Sequence, residues 1–200
     1  MALLTVKALS GKVSRRPLLG VVWLILSAWL YLPASAAEVP MLSKEFQVKA
    51  VFLYNFAQFV EWPASAFENA ESPLVIGVLG LDPFGLFLDE TIQGERVNGR
   101  PLLVKRFRSV SEVQNCHILF VSGSEGPRAG QVANALKGRS VLTVCDWEGL
   151  PTHAAIVRFV MERSRVRLRI NLEAAREVGL TISSKLLRSA EAVTAQTVSP

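Results

Sequence analysis

Two cysteines, two histidines and three methionines in 200 residues leave this chain poor in the side chains that hold metals or carry redox chemistry. Cys116, Cys145, His117 and His153 have no finger-like or helical spacing, so no metal is expected. Cys116 and His117 are adjacent in a strand-like run, where neighbours point to opposite faces and cannot pass a proton directly. Gly77-Val78-Leu79-Gly80 does not match a dinucleotide fingerprint, and there is no phosphate-loop lysine. With no base–nucleophile pair, no catalytic residue and no cofactor, the residues favour binding over catalysis. A disulfide is not expected either. If Cys116-His117-Ile118-Leu119-Phe120-Val121 and Val141-Leu142-Thr143-Val144-Cys145 are neighbouring parallel strands, the two sulfurs sit about five residues apart at ~3.3 Å each. A disulfide tolerates a Cα separation of only about 7 Å.

The chain also lacks a real excess of charge once its start is set aside. Lys7, Lys12, Arg15 and Arg16 precede an uncharged run from Leu18 to Leu32, and Ala34-Ser35-Ala36 supplies a small-x-small cleavage pattern. Residues 1–36 therefore read as a cleaved signal peptide. The run is short of the roughly twenty apolar residues of a spanning helix. Ser14-Arg15-Arg16 loosely resembles a twin-arginine signal, but Pro17 and the missing lysine favour ordinary secretory export, hence a periplasmic location. The whole chain has 22 Lys+Arg and 17 Asp+Glu; without the four basic residues of the leader the balance is 18 to 17, or +1. That balance removes the compositional support for a nucleic-acid partner, and none is expected, because counterion release needs a basic footprint.

Residues 37–190 read as one α/β domain, in which helical and strand patterns alternate. Ser43 is placed as the cap of a helix whose apolar positions Val48, Val51, Phe52, Phe56, Phe59 and Val60 recur at helical spacing, with Pro63 ending it. Leu74–Leu79 is a strand covered on both faces. Asp82-Pro83 is expected to start a helix. Asn98-Gly99 turns into a strand from Pro101 to Phe107, the strand at Cys116 leads through Ser122-Gly123-Ser124-Glu125 into a helix ending at Gly138, and the strand at Val141 follows. Next comes a hairpin. Ala155, Val157, Phe159 and Met161 share one face, as do Val166, Leu168 and Ile170, and an even loop is needed to bring both sets to one side. Arg163-Ser164 supplies it, pairing Met161 with Val166 and Phe159 with Leu168. A helix from Asn171 stops at Gly179, and Ser183 or Ser184 starts a last one through Ala190. Residues 191–200 read as a loose tail. The expected architecture is a three-layer, Rossmann-like or flavodoxin-like, largely parallel sheet with an antiparallel C-terminal hairpin.

Two sets of residues stand out as candidate sites. Ligands of open α/β sheets bind beyond the C-terminal strand ends, where Asp82, Ser122, Ser124, Glu125 and Asp146 fall. They could line a small-molecule pocket, although capping and turn-making explain each one singly. The hairpin's other face collects Arg158, Arg165, Arg167 and Arg169. Such a stripe can be a solvated face or a docking face for an acidic partner; Lys185 and Arg188 on the last helix offer a second docking surface.

The ordered motifs together resemble the YfiR family of exported bacterial proteins. They are Lys49-Ala50-Val51-Phe52-Leu53-Tyr54-Asn55-Phe56 with Phe59-Val60-Glu61-Trp62-Pro63, then Val78-Leu79-Gly80 before Asp82-Pro83-Phe84-Gly85. Cys116-His117-Ile118-Leu119-Phe120, Leu142-Thr143-Val144 before Asp146, and Arg169-Ile170-Asn171 with Ala174-Ala175 follow. Gly179-Leu180 with Ile182-Ser183-Ser184-Lys185-Leu186-Leu187 completes the set, which covers roughly Phe46 to Ala190. The resemblance implies a periplasmic, non-enzymatic regulator that represses an inner-membrane diguanylate cyclase by binding its periplasmic sensor region, and so controls cyclic-di-GMP signalling. A solute-binding module is the alternative, and a homodimer is left open. Relatives that use disulfides carry further cysteines, and the position expected to partner Cys116 is Gly77 here.

Overall fold

A computed structural model describes residues 41–188 and 191–193; the expected leader, its cleavage point and residues 194–200 of the expected tail lie outside the described residues. Helix α1 spans Met41–Phe59. Ala50, Leu53, Phe56 and Ala57 repeat at three- and four-residue steps and are buried to 1 % exposure or less, so this stripe faces the core. Ser43 lies inside the helix rather than capping it. The helix stops at Phe59 because Val60–Glu61 (β1) turn to pair antiparallel with β9 (Thr181–Ile182).

Strand β2 (Leu74–Leu79) is buried at every position. After it, Asp82 does not start a helix. Its Oδ1 accepts from the Phe84 amide at 2.7 Å, an Asx turn that uses the same chemistry as a cap, and helix α2 (Leu86–Ile92) begins only after Gly85, held at φ 55°. β3 (Arg96–Val97) and β4 (Arg100–Phe107) form a hairpin across Asn98-Gly99, both at positive φ. β5 (Ile118–Val121) starts two residues after Cys116. A 3-10 segment at Gly123–Arg128 then precedes helix α3 (Ala129–Leu136), and β6 is Leu142–Cys145.

β7 (Val157–Glu162) and β8 (Arg165–Asn171) pair antiparallel with Met161 opposite Val166 and Phe159 opposite Leu168, the register the parity of the apolar positions requires. Asn171 caps α4 (Leu172–Glu177) by accepting from the Ala174 amide, and Ser183 caps α5 (Ser184–Leu187) by accepting from the Leu186 amide. α5 ends at Leu187, short of Ala190. Residues expected to be loose form β10 (Glu191–Val193), parallel to β8; three residues carry no periodicity of their own, and a neighbouring edge decides their state.

The fold is mixed α/β. One sheet runs β3-β4-β2-β5-β6-β7-β8-β10, with β4, β2, β5, β6 and β7 parallel. α1, α2, α4 and α5 pack on one face with Ile76, Val78, Phe120, Val144, Phe159 and Leu168. α3 covers the other face with Leu119, Val121, Cys145 and Leu150. α1 runs against the strands, since Lys49 reaches Asp146 after β6 while the Trp62 indole donates to the His117 carbonyl before β5.

Cys116 and Cys145 are both free and buried. Cys116 precedes β5, whereas Cys145 ends β6 opposite Val121. Burial pushes the Cys116 thiol up to about 12. We expect denaturing, non-reducing alkylation to add two groups in intact mass; a protein that takes none holds a bridge this strand pairing forbids.

His117, 3 % exposed, clamps the entry to β5. Its Nδ1 accepts from the Val75 amide at 3.0 Å, which makes Nε2 the donor to the Ala66 carbonyl at 3.1 Å, and Phe67 stacks on the ring at 4.3 Å. Burial, aided by nearby Arg100, holds its pKa below the usual histidine value against the opposing pull of the Ala66 carbonyl. The unfolded chain therefore binds this proton more readily. Stability from this site is complete above about pH 6.5 and declines as pH falls through the lower folded value. We expect wild type to lose more stability than His117→Asn as pH falls from about 7 to about 5 in paired thermal melts. Parallel pH curves for the two proteins would contradict it.

Candidate functional site

Gly80, at φ 89°, carries the chain out of β2 beside the end of β5. A Cβ there would run into Ser124 Oγ and lie 3.0 Å from Glu125 Oε1, so only glycine lets these two ends close. Chain connections depart in opposite directions from these neighbouring strands, β2 toward β4 and β5 toward β6, which is the usual position of a ligand crevice. The structure brings four of the five expected pocket residues here and sets Asp146 one strand further on.

Their polar atoms are engaged by the protein itself. Asp82 takes the Arg106 Nε at 2.8 Å, and the same guanidinium grips Asp89, holding that carboxyl below its usual range. Ser124 Oγ accepts from the Leu81 amide at 2.9 Å and lies 3.3 Å from Ser122 Oγ. Glu125, 1 % exposed, receives Arg128 through Nε at 3.1 Å and Nη2 at 2.6 Å. Asp146 accepts from Lys49 Nζ at 2.7 Å, and Glu45 takes the same ammonium at 2.5 Å. Trp147 donates from Nε1 to the Val121 carbonyl at 2.9 Å and lies over Gly123 and Gly149. Capping and closure explain every contact of this edge. A cleft of about 260 Å³ opens elsewhere, between the end of α3, the start of β6 and α4, with Leu136, Val141, Ile156, His153 and Glu177 in its lining.

Chemically the edge is a set of ion pairs in which Lys49 and Arg106 each serve two carboxylates and Arg128 serves one. Neither serine has a histidine beside it, since His117 is committed to Val75 and Ala66 at the other strand ends. Among the described residues no group of three or more His, Cys, Asp or Glu could hold a metal ion. Lys49 is the functional-looking residue that sequence reading passed over. It is 2 % exposed, ties α1 to the end of β6, and lies 4.5 Å from the Phe46 ring centroid. Its signals in the sequence are the i,i+4 spacing from Glu45 and its place at the head of the motif Lys49-Ala50-Val51-Phe52.

The arginine hairpin differs. Its core face carries Phe159 and Leu168, while the other face sets Arg158 opposite Arg169, Val160 opposite Arg167 and Glu162 opposite Arg165. Like charges directly across a ladder are unfavourable. β6 pairs only with Val157 and Arg158, so the rest of the hairpin projects past it. The turn residues Arg163 and Ser164 both adopt positive φ, 48° and 61°, without glycine. Arg165, Arg167 and Arg169 are exposed, and Arg169 lies 3.7 Å from Glu162. Arg158 donates to the Leu150 carbonyl, and its buried Nε has no partner among the described residues. Glu162, Arg163, Arg165 and Arg167 line a cleft of about 420 Å³. Lys185, over the Phe59 ring at 4.9 Å, and exposed Arg188 belong to the α1 side of the sheet, so they do not extend this patch.

Among the described residues no helix is long and apolar enough to cross a membrane. A family model described as YfiR/HmsC-like matches residues 46–191. No curated protein matches the chain.

Proposed function

Because the chain belongs to the YfiR/HmsC-like family, a family of periplasmic, non-catalytic regulators of cyclic-di-GMP signalling, we propose that it represses an inner-membrane diguanylate cyclase by docking on its periplasmic sensor region. Export through the leader at 1–36 would deliver it there, and a parallel core ordered β4-β2-β5-β6-β7 supports a flavodoxin-like topology. The observation that carries the reading is the hairpin. Helices cover its core face and α3 covers the neighbouring strands, yet Arg165, Arg167 and Arg169 stand exposed with one acidic residue, Glu162, among them. A face of one sign on a nearly neutral domain fits an acidic partner surface. Solute binding at Asp82, Ser122, Ser124, Glu125 and Asp146 has less support, because those groups already have partners.

Changing Arg167 and Arg169 together to Glu tests the proposal. Exposed substitutions cost under about 0.5 kcal/mol, so the melt should barely move. Affinity for the cyclase sensor domain should fall roughly thirtyfold, about 2 kcal/mol, if either arginine is a hot spot. Calorimetry showing unchanged affinity with an unchanged melt would remove the hairpin from the interface and turn attention to Lys185 and Arg188.

A further inference from the structure

Strand β4 has a partner on only one side for most of its length. β2 pairs with it from Leu102 to Phe107, whereas β3 covers Arg100 and Pro101 alone. The side on which each backbone group lies follows from two bonds: the Phe107 carbonyl accepts from Gly80 of the β2 side, and the Leu102 amide donates outward to Glu95. Backbone direction alternates along a strand, so the Val104 and Arg106 amides and carbonyls also point outward. Among the described residues neither has a backbone partner there. The row is not shielded by charge alone: Leu103 is 45 % exposed, and Leu86 on α2 is 74 % exposed. A groove of about 480 Å³ runs beside it, floored by Leu86, Ile92, Leu102 and Val104 with Asp89 and Glu90 at its rim.

We propose that the β4 edge is a second docking site, distinct from the arginine hairpin, that takes an extended peptide as an added strand, apolar side chains toward α2 and acidic ones toward Lys105. Backbone groups specify the shape of the occupant, since only an extended chain presents donors and acceptors at strand spacing. Side chains specify its alternation. Along the strand Leu102 and Val104 alternate toward α2 and Leu103 and Lys105 toward the reverse, with Leu103 also bordering the groove, and exposed Lys105 has no ion pair among the described residues. A second copy of the chain fits poorly. Two-fold pairing about Lys105 or about Arg106 sets that cation against itself, and pairing about Val104 runs Phe107 into the place β3 occupies at Pro101.

The probe is an acetylated, amidated peptide of alternating valine and glutamate, seven residues long, titrated to about 1 mM. Bound peptide should slow hydrogen exchange at the Val104 and Arg106 amides by about tenfold or more, and leave Leu103 and Lys105, already paired to β2, unchanged. N-methylating one alternate set of peptide residues should abolish binding while methylating the other leaves it intact. Val104→Pro should weaken binding about tenfold with little change in the melt, because proline is tolerated where an edge amide faces solvent. The variant with Arg167 and Arg169 changed to Glu should bind the peptide like wild type. No binding at about 1 mM, equal loss from either methylation pattern, or protection of Val104 without peptide in a sedimenting dimer would each overturn the proposal. If Val104→Pro fails to fold, the two methylated peptides still decide it.

Discussion

Gly77→Cys is expected to form a disulfide with Cys116 as the protein folds in air. A Cβ built on Gly77 lies 2.7 Å from Cys116 Sγ, close to the separation of about 3 Å that a Cβ and the far sulfur keep across a disulfide. The two positions enclose 116 − 77 = 39 residues of chain, for which loop closure corresponds to roughly 4 kcal/mol. The site is tight: the same Cβ meets Phe107 Cε2 at 2.7 Å and Leu119 Cδ1 at 2.9 Å. Relative to the natural protein some of the gain is lost to that crowding, and Gly77→Ala, which has the crowding without the bond, should cost about 1–3 kcal/mol. Oxidised Gly77→Cys should exceed its reduced form, which carries the same crowding, by about 4 kcal/mol, a rise of roughly 8–16 °C in melting midpoint for a domain of this size. Alkylation under denaturing, non-reducing conditions should mark one cysteine, Cys145. Three marked cysteines would mean that the strand ends do not approach as described. The natural glycine thus leaves this protein without a bridge its backbone is shaped to accept.

Replacing Lys49 by Met should destabilise the domain by about 3 kcal/mol. Removing one member of a buried ion pair leaves the others uncompensated, at about 3–5 kcal/mol. Glu45 and Asp146 retain 23 % and 17 % side-chain exposure, so water recovers part of that and the low end applies. Adding Asp146→Asn to Lys49→Met removes one stranded charge and should restore about 1 kcal/mol or more. Urea midpoints at neutral pH read both values. A single variant that loses less than about 1 kcal/mol would show that the ammonium does not hold α1 to the end of β6. The pair is also the means by which the N-terminal half of α1 is positioned over the strand ends.

What was legible in the sequence was what local chemistry decides alone. Leu74–Leu79 is bounded as its apolar run is, and Arg163-Ser164 follows from parity. Asn171 and Ser183 cap because their oxygens find an amide three residues on. At Asp82 the sequence is ambiguous, because an Asx turn and a helix cap begin with the same bond, and only the φ of Gly85 separates them. β1, β3, β9 and β10 have two or three residues each, too few for a period, and exist because partners elsewhere hold them. At the sites, the arginine stripe was visible because strand alternation sorts it. Lys49 was not, because a lysine in a helix reads as solvated and its partner lies 97 residues away.

That distance also sets an order of events. Helix α1 is made first, yet Phe56 stacks on Phe159 at 6.0 Å and Lys49 closes on Asp146. A chain delivered from its N-terminus onward carries an uncovered apolar helix until β7 and β8 emerge. Those two strands join through a two-residue turn and zip within about 1–10 μs, so the slow step is the long-range closure of α1 onto them. Throughout that wait, the exposed stripe of Leu53, Phe56 and Ala57 is what a holding chaperone would grasp.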